Sequence, residues 1–283
     1  MRGDVTAAIR AANTDGRAAL VIYLPAGYPD LETSRACLEA AAGAGADLLE
    51  VGFPYSDPLM DGPTIQAANQ VALDAGCTPD DDFAVCARLT AAVDVPTLVM
   101  TYYNLAWHYP GPGQEGRATA GSSRADGLDD FAAACRAAGL AGAILPDLPA
   151  EEGARWRKAA AGGDLDTVFL AAPTSRDHRL QAVADASTGF VYATSTLGVT
   201  GERQSLSAMA GPLVTRLRDV TDRPVCVGIG VTTGAHAAEV AGFADGVIVG
   251  SAAVRAAGEG GPEAVAALVR ELADGCRRSA SVA

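Results

Sequence analysis

Eight short apolar runs, each four to six residues long and many of them rich in β-branched side chains, constrain the fold of this 283-residue chain more than any other feature. They are Ala19–Leu24, Asp47–Val51, Thr97–Tyr102, Gly142–Leu145, Thr167–Ala171, Phe190–Thr194, Val225–Gly228 and Val247–Gly250. Ala-rich stretches with helical spacing lie between or after them, such as Leu31–Ala44, Asp82–Ala92, Asp130–Ala138 and Glu263–Ala273. Strands buried on both faces have this continuous apolar character, and their alternation with helices predicts a parallel sheet. Eight such strands close a barrel, so we expect a single (β/α)8 TIM barrel over residues 1–283. A doubly wound sheet is the alternative, but it normally has fewer strands.

Two segments interrupt this alternation, and an extra helix is expected before the first strand. After the second run, Gly52–Gly62 predicts a long loop and Pro63–Ala75 an extra helix. Proline suits the first helical position because its missing N–H would be unpaired there. The second segment, His108–Gly127, is rich in Gly, Pro, Ser and Arg and lacks periodicity, so it predicts a flexible insertion. Because it follows the third strand, we expect it to project from the catalytic end of the barrel.

Charge and cysteine use exclude several classes of protein. The formal net charge is −13 and the 21 basic residues are scattered, which argues against nucleic-acid binding. The six cysteines form no CxxC pair and have no histidine at metal-ligand spacing, so we expect a reduced protein without a bound metal. Neither a signal peptide nor an apolar run of membrane-spanning length is apparent. These features favour a cytoplasmic protein that does not associate with a membrane.

Three carboxylates near the second strand are candidates for acid–base chemistry. Glu50 lies near the end of an apolar run, where an unpaired charge would cost several kcal/mol. It is either a core carboxylate with hydrogen-bond partners or an acid–base group at the barrel mouth, with its pKa raised by burial. Asp57 and Asp61 lie in the following loop, and each is either a turn residue or part of a carboxylate pair with Glu50.

Glycine-rich turns follow the last three predicted strands. They are Gly198–Gly201, Gly228–Gly230 and Gly250–Ser251. Barrels often bind phosphate at this position, because backbone N–H groups and a helix N-terminus point at the anion. Glycine lets the backbone approach a ligand closely. Three such turns at consecutive strand ends indicate a phosphorylated ligand.

The motifs around these residues closely resemble those of tryptophan synthase α subunits. The resemblance rests on EVGFPYSDP at 50–58, DGPTIQ at 61–66, GVTG at 198–201, VGS at 249–251 and LPAGYP at 24–29. It extends in order over nearly the whole chain. It implies a lyase that cleaves indole-3-glycerol phosphate by a retro-aldol reaction, without a metal or organic cofactor, in tryptophan biosynthesis. It also implies a β-subunit partner in an α2β2 heterotetramer, where the β subunit converts indole and serine to tryptophan.

The resemblance further assigns roles to individual residues. Glu50 would be the principal acid–base group, and Asp61 would hold the indole N–H and stabilise positive charge on the ring. The substrate would contact Tyr23, Met100, Tyr102, Ile144, Tyr192, Thr200 and Ile229, and its phosphate would bind around Gly201, Gly230, Gly250 and Ser251. Aromatic and branched apolar walls suit a flat indole ring.

The chain departs from the family pattern at three places. Thr196 and Leu197 stand where many members carry an Arg, and Ile229 stands where an aromatic side chain is common. The insertion at 108–127 lies on the face expected to contact the β subunit, so it bears on docking more than on chemistry.

These departures leave other functions to weigh. One is a stand-alone lyase that releases free indole for another pathway, which the insertion favours. Another is a non-catalytic activator of a β subunit, against which the presence of both Glu50 and Asp61 counts. A different phosphate-binding barrel enzyme is the third alternative. Lys158 is the only lysine and lies in a helical stretch, which counts against an imine-forming aldolase.

Overall fold

Eight parallel strands close into a barrel with sequential strand order, β1 to β8, in the computed structural model. The structure describes residues 4–110, 126–194, 205–228 and 230–278. The strands are β1 (Ala19–Pro25), β2 (Leu48–Gly52), β3 (Thr97–Met100), β4 (Gly142–Ile144), β5 (Asp166–Ala171), β6 (Val191–Thr194), β7 (Val225–Gly228) and β8 (Gly246–Val249). The pairing of β8 with β1 closes the sheet. The (β/α)8 barrel expected from the sequence is therefore confirmed.

Helices surround this sheet within the described residues. They are α1 (Val5–Thr14), α2 (Leu31–Ala44), α3 (Pro63–Asp74), α4 (Pro79–Ala92), α5 (Tyr103–Trp107), α6 (Leu128–Ala137), α7 (Ala154–Gly162), α8 (Asp177–Ala186), α9 (Leu206–Arg218), α10 (Gly234–Ala241) and α11 (Ser251–Gly275). The largest apolar cluster packs between the sheet and these helices. None of the helices in the described ranges is long and apolar enough to cross a membrane.

The two additional helices have distinct positions. Helix α1 begins after Asp4, whose side chain accepts a hydrogen bond from the Ala7 N–H. Its buried residues Val5 and Ile9 join the apolar cluster inside the barrel. Helix α3 follows the long loop after β2 and has Pro63 in its first turn. Helix α3 directly follows the loop that carries Asp61, and it packs against α11.

Some predicted boundaries were wrong for local reasons. The strand predicted as Thr97–Tyr102 ends at Met100, because Tyr102 is the N-cap of the short helix α5. Helix α4 begins three residues earlier than predicted, since Thr78 and Asp81 form a reciprocal capping box. The helix predicted from Glu263 is the second part of α11, which begins at Ser251 and is kinked at Gly260 and Gly261.

The ends of the predicted insertion are well anchored. The Gly127 N–H donates to the Trp107 carbonyl across a distance of 2.7 Å. The Tyr109 ring packs against two phenylalanines, Phe83 and Phe131. Arg155 of α7 donates to both Asp126 and Asp129 at the start of α6. These contacts hold both ends of the segment against the barrel wall. The expectation of flexibility was made for residues 108–127, of which 111–125 lie outside the described residues.

Candidate active site

A cavity of about 480 Å³ opens at the end of the barrel where the strands finish. Each of the eight strands contributes at least one lining residue. The lining comprises Tyr23, Glu50, Leu59, Met60, Asp61, Ile65, Met100, Ile144, Pro146, Leu170, Ala172, Tyr192, Thr194, Gly228, Gly230, Val231, Thr232, Ile248, Gly250 and Ser251. Its volume suits a ligand of a few hundred daltons, and its inner wall is largely apolar. Enzymes of this fold hold their catalytic groups at this end of the barrel, where the strands finish.

Glu50 lies in the wall of this cavity and is almost completely buried, with 2% of its surface exposed. It belongs to β2, where it pairs in register with Tyr23 and Leu98. Its Oε1 atom has no hydrogen-bond partner among the described residues. Burial therefore raises the pKa of Glu50 from its ordinary value of 4.5 to about 8. A carboxyl group in this environment is protonated at neutral pH and can donate a proton to a ligand.

Asp61 is the second buried carboxylate of the cavity, and its surroundings are more polar. Asn69 of α3 donates from Nδ2 to Asp61 Oδ2 over 3.2 Å. The Tyr102 hydroxyl also forms a hydrogen bond with the Asp61 carboxylate. Burial raises the pKa of Asp61 to about 6, while these two hydrogen bonds lower it. Asp61 is therefore mainly ionised at pH 7, whereas Glu50 is mainly protonated.

The loop that carries Asp61 is held in place by both neighbouring elements. Gln66 of α3 donates to the Asp61 carbonyl at 2.8 Å. The Met60 N–H donates to the Tyr102 hydroxyl oxygen at 2.9 Å, and the Tyr102 ring stacks on Tyr55. These contacts connect the loop to α3 and to the end of β3. The side chain of Asp57, in contrast, is exposed and hydrogen-bonded to Ser56, so Asp57 does not line the cavity.

Two tyrosines and two glycines fit closely together beside the carboxylates. A Cβ atom on Gly52 would lie 2.2 Å from the Tyr23 hydroxyl oxygen, and one on Gly228 would lie 2.4 Å from the Tyr192 hydroxyl oxygen. Only glycine leaves room for these phenol groups. Burial is the main cause that raises the pKa of each tyrosine well above its ordinary value, and the nearby carboxylates Glu50 and Asp61 raise it further. Both phenols are therefore neutral at physiological pH.

The part of the cavity that follows β7 and β8 is suited to an anion. Gly230 has a φ of +72°, which favours glycine, and it lines the cavity after β7. Gly250 is the N-cap of α11 and makes no side-chain capping bond, so Ser251 begins the helix beside the cavity. The first N–H groups of a helix have no partner within the helix and carry a partial positive charge. This side of the cavity can therefore bind a phosphate group through backbone N–H groups.

Most of the residues proposed from the sequence meet in this one cavity. They are Tyr23, Glu50, Asp61, Met100, Ile144, Tyr192, Gly230, Gly250 and Ser251. Tyr102 stands behind Asp61 and does not line the cavity. Thr200, Gly201 and Ile229 lie outside the described residues. No group of three or more His, Cys, Asp and Glu side chains arranged to hold a metal ion occurs in the described parts of the chain.

Sequence reasoning missed several lining residues, notably Leu170 and Ile248 on strands and Val231 and Thr232 in the loop after β7. Strand residues of this kind are detectable only from the alternation that directs every second side chain into the barrel. Leu170 pairs in register with Tyr192, but that register is not visible in a single sequence. Val231 and Thr232 belong to residue types that are common in loops, so nothing in the sequence marks them as cavity residues.

The fold is a closed (β/α)8 barrel, and its apolar cavity holds two buried carboxylates and a glycine-lined part suited to an anion. These features together define an acid–base enzyme for a phosphorylated substrate with an apolar portion. Comparison with known proteins specifies the family. The family model described as tryptophan synthase alpha chain matches residues 9–280. The chain therefore belongs to the tryptophan synthase alpha chain family. This confirms the resemblance seen in the sequence and the expectation of a lyase that acts on indole-3-glycerol phosphate.

Curated relatives and solved structures agree with this assignment. The tryptophan synthase alpha chain of Streptomyces coelicolor is 46% identical over 277 residues, which is 96% of each chain. That of Nocardia farcinica is 48% identical over 272 residues, covering 96% of this chain and 95% of the relative. Among solved structures, a tryptophan synthase from M. tuberculosis superimposes with a TM-score of 0.84 at 41% identity. The superposition covers 98% of this chain and 100% of the other.

Proposed function

We propose that this chain cleaves indole-3-glycerol phosphate in the cavity described above, with Glu50 as the acid–base group and Asp61 as the partner of the indole N–H. The observation that carries the proposal is the contrast between the two carboxylates. One is buried without a protein hydrogen-bond partner at Oε1, and the other is held by two donors. Paired carboxylates with such different environments are suited to separate acid and anionic roles.

The cavity fits the two ends of this substrate. The indole ring lies among the apolar side chains of Met100, Ile144 and Leu170, which line the inner wall. The phosphate binds in the part that follows β7 and β8, at the N–H groups near Gly230 and Ser251 and at the N-terminus of α11. Binding both ends of the substrate fixes the glycerol carbons between them and so positions the reacting bond.

The reaction begins with the protonated Glu50 carboxyl group. Glu50 donates its proton to indole C3, which breaks the aromaticity of the pyrrole ring and places positive charge on the nitrogen. Asp61 accepts a hydrogen bond from the N–H and stabilises this cation. The Glu50 carboxylate then accepts the proton of the hydroxyl group on the carbon attached to C3. A C=O bond forms, the bond from that carbon to C3 breaks, and its electron pair restores the aromatic ring. Indole and glyceraldehyde 3-phosphate are released, and Glu50 is protonated again.

The pKa values of the two groups support these roles. A general acid is most effective when its pKa lies near the working pH, and the pKa of Glu50 is about 8. An ionised carboxylate is needed to stabilise the cationic ring, and the pKa of Asp61 is about 6. Near pH 7 the required protonation states therefore coexist.

A tryptophan synthase β subunit is the proposed partner, and the cytoplasm is the proposed location. Support comes from the family and from the two exposed apolar side chains at the cavity mouth, Leu59 with 87% and Met60 with 42% of its surface exposed. A stand-alone lyase is the second candidate function, because the insertion predicted at 108–127 follows β3, whose end lines the cavity through Met100. Titrating a purified β subunit against this chain separates the two. The partnered enzyme accelerates indole formation on binding, whereas a stand-alone lyase is unaffected.

The direct test of the reaction uses purified chain and indole-3-glycerol phosphate, with indole and glyceraldehyde 3-phosphate both quantified. Equal amounts of the two products are expected. A second substrate, indole glycerol without phosphate, serves as the matched comparison and should show a greatly raised KM. Equal KM values for both substrates would exclude the proposed phosphate site. Absence of indole at any concentration of the chain and of β subunit would exclude the reaction.

A further inference from the structure

The amide side chain of Asn69 is buried beneath the loop that carries Asp61. Asn69 lies on α3 and has 2% of its surface exposed. Its Nδ2 atom donates to Asp61 Oδ2 at 3.2 Å. Its Oδ1 atom is buried and has no hydrogen-bond partner among the described residues. The contact with Asp61 thus accounts for only one end of the amide group.

An amide group that is buried with a hydrogen-bond partner at only one end does not favour the stability of the folded chain. Burying a polar atom without a partner costs free energy, and an apolar side chain of similar size would avoid that cost. The neighbouring buried positions on the same helix, Ala68 and Ala72, are indeed apolar. The contact that Asn69 makes with Asp61 therefore points to a functional reason for the amide.

Side chains from two elements converge on the Asp61 carboxylate. Asn69 approaches it from α3, and the Tyr102 hydroxyl approaches it from the end of β3. The Tyr102 hydroxyl accepts a hydrogen bond from the Met60 N–H, which orients its own proton toward Asp61. A carboxylate held by two donors on two separate elements has a fixed orientation relative to the cavity that it lines.

We propose that Asn69 is a positioning residue for the cleavage reaction, which fixes the Asp61 carboxylate toward the substrate and holds it in its ionised form. The inference rests on the proposed role of Asp61. Asn69 does not line the cavity, so it acts through Asp61 and not on the substrate. Both described donors lower the pKa of Asp61 against the effect of burial, and Asn69 is one of them.

The titratable groups around Asp61 allow its ionisation to be followed. In the described parts of the chain Asp61 interacts with the phenols Tyr102, Tyr23 and Tyr192, and Glu50 lines the same cavity. The three phenols have raised pKa values and remain neutral below pH 9. Because the second ionisation of a substrate phosphate also lies at about pH 6, the acidic limb of the pH profile of kcat/KM is assigned to Asp61 by its movement between wild type and the Asn69 variant, and the basic limb is assigned to Glu50.

The test is a double-mutant cycle with Asn69→Leu, Asp61→Asn and the combination of both. Asn69→Leu removes the donor and keeps the number of side-chain heavy atoms. We expect kcat to fall roughly 10-fold, because a hydrogen bond to a charged group is lost, while KM changes less. The acidic limb of the pH profile should move to higher pH. In the Asp61→Asn background the same substitution should change kcat less than about two-fold, since residues that act together are not additive.

Controls separate positioning from folding. Gln70→Ala changes an exposed residue on the same helix, whose side chain bonds only to Asp74 in the described structure, and it should leave kinetics unchanged. If Asn69→Leu does not fold, Asn69→Ala removes the same donor without adding volume. A merely structural Asn69 would give equal losses in both backgrounds and an unmoved acidic limb, and either result overturns the inference. Wild-type kcat in Asp61→Asn would instead refute the proposed role of Asp61 itself.

Discussion

Glu50→Gln should make the protein more stable at neutral and alkaline pH while removing its activity. The substitution replaces a carboxyl group by a neutral group of nearly the same shape. In the folded chain Glu50 is buried and its pKa is about 8, whereas in the unfolded chain the ordinary value of 4.5 applies. Wild-type folding must therefore take up a proton at pH 7, and the glutamine variant is free of this requirement.

The magnitude follows from the two pKa values. Each pKa unit corresponds to 1.36 kcal/mol, so keeping Glu50 protonated at pH 7 costs the folded state about 3 kcal/mol. Because the folded-state pKa is raised, the stability from this group is fully present below pH 4.5. It is lost as pH rises and is exhausted above the folded-state pKa of about 8. The difference between variant and wild type should thus grow from less than about 1 kcal/mol at pH 5 to about 5 kcal/mol at pH 9.

Urea unfolding of both proteins at pH 5, 7 and 9 measures this difference, since the free energy of unfolding falls linearly with denaturant. Glu152→Gln removes the charge of an exposed glutamate and serves as the matched control. It should show no comparable growth of the difference with pH. A Glu50→Gln variant whose stability relative to wild type is the same at all three pH values would refute the reasoning that Glu50 is protonated by burial.

Three further predictions concern the cavity and the insertion. The pH profile of kcat/KM should rise through about pH 6, as Asp61 ionises, and fall through about pH 8, as Glu50 loses its proton; a profile flat between pH 5 and 9 would contradict both assignments. Gly52→Ala should lower kcat/KM at least roughly 10-fold and cost about 1–3 kcal/mol of stability, because the new methyl group meets the Tyr23 hydroxyl; wild-type kinetics and urea midpoint would show that the fit is not tight. Replacing residues 111–125 by a Gly-Ser linker should change stability by less than about 1 kcal/mol, since loop closure depends weakly on length, and should alter the affinity for a β subunit measured by calorimetry. A large loss of thermal stability with unchanged affinity would mean that the segment is a folded structural element.

The barrel could be predicted because burial on both faces imposes a continuous apolar pattern on every strand. The interiors of all eight strands follow from that pattern, and the bounds of α2 follow from the helical spacing of its apolar residues. The end of β3 could not be predicted, because Tyr102 leaves the sheet to cap α5. Two helix boundaries were also wrong for local reasons. Helix α4 begins earlier because Thr78 caps it, and α11 is a longer helix with a kink at Gly260 and Gly261. Such boundaries depend on local hydrogen bonds, to which apolar periodicity is insensitive.

The candidate site was predictable to the extent that chemistry leaves a mark on single residues. A carboxylate in an apolar strand is conspicuous, so Glu50 could be predicted in the cavity wall, and glycines at the ends of β7 and β8 could be predicted in its lining. The distinction between Asp57 and Asp61 required the structure, because both occur in turn-forming contexts and only Asp61 faces the cavity. Asn69 was also missed, since a single asparagine eight residues further on, within a predicted helix, has no distinguishing feature.

The most direct test of the central claim is the rate at which Glu50→Gln forms indole from indole-3-glycerol phosphate at saturating substrate, with Glu152→Gln measured in parallel. Glu50→Gln should lose turnover by about 10²–10⁴-fold, since an amide cannot deliver a proton to indole C3. Folding should be retained by circular dichroism, and Glu152→Gln should keep wild-type turnover. A folded Glu50→Gln variant that retains more than half of the wild-type turnover would contradict the assignment of Glu50 as the acid–base group.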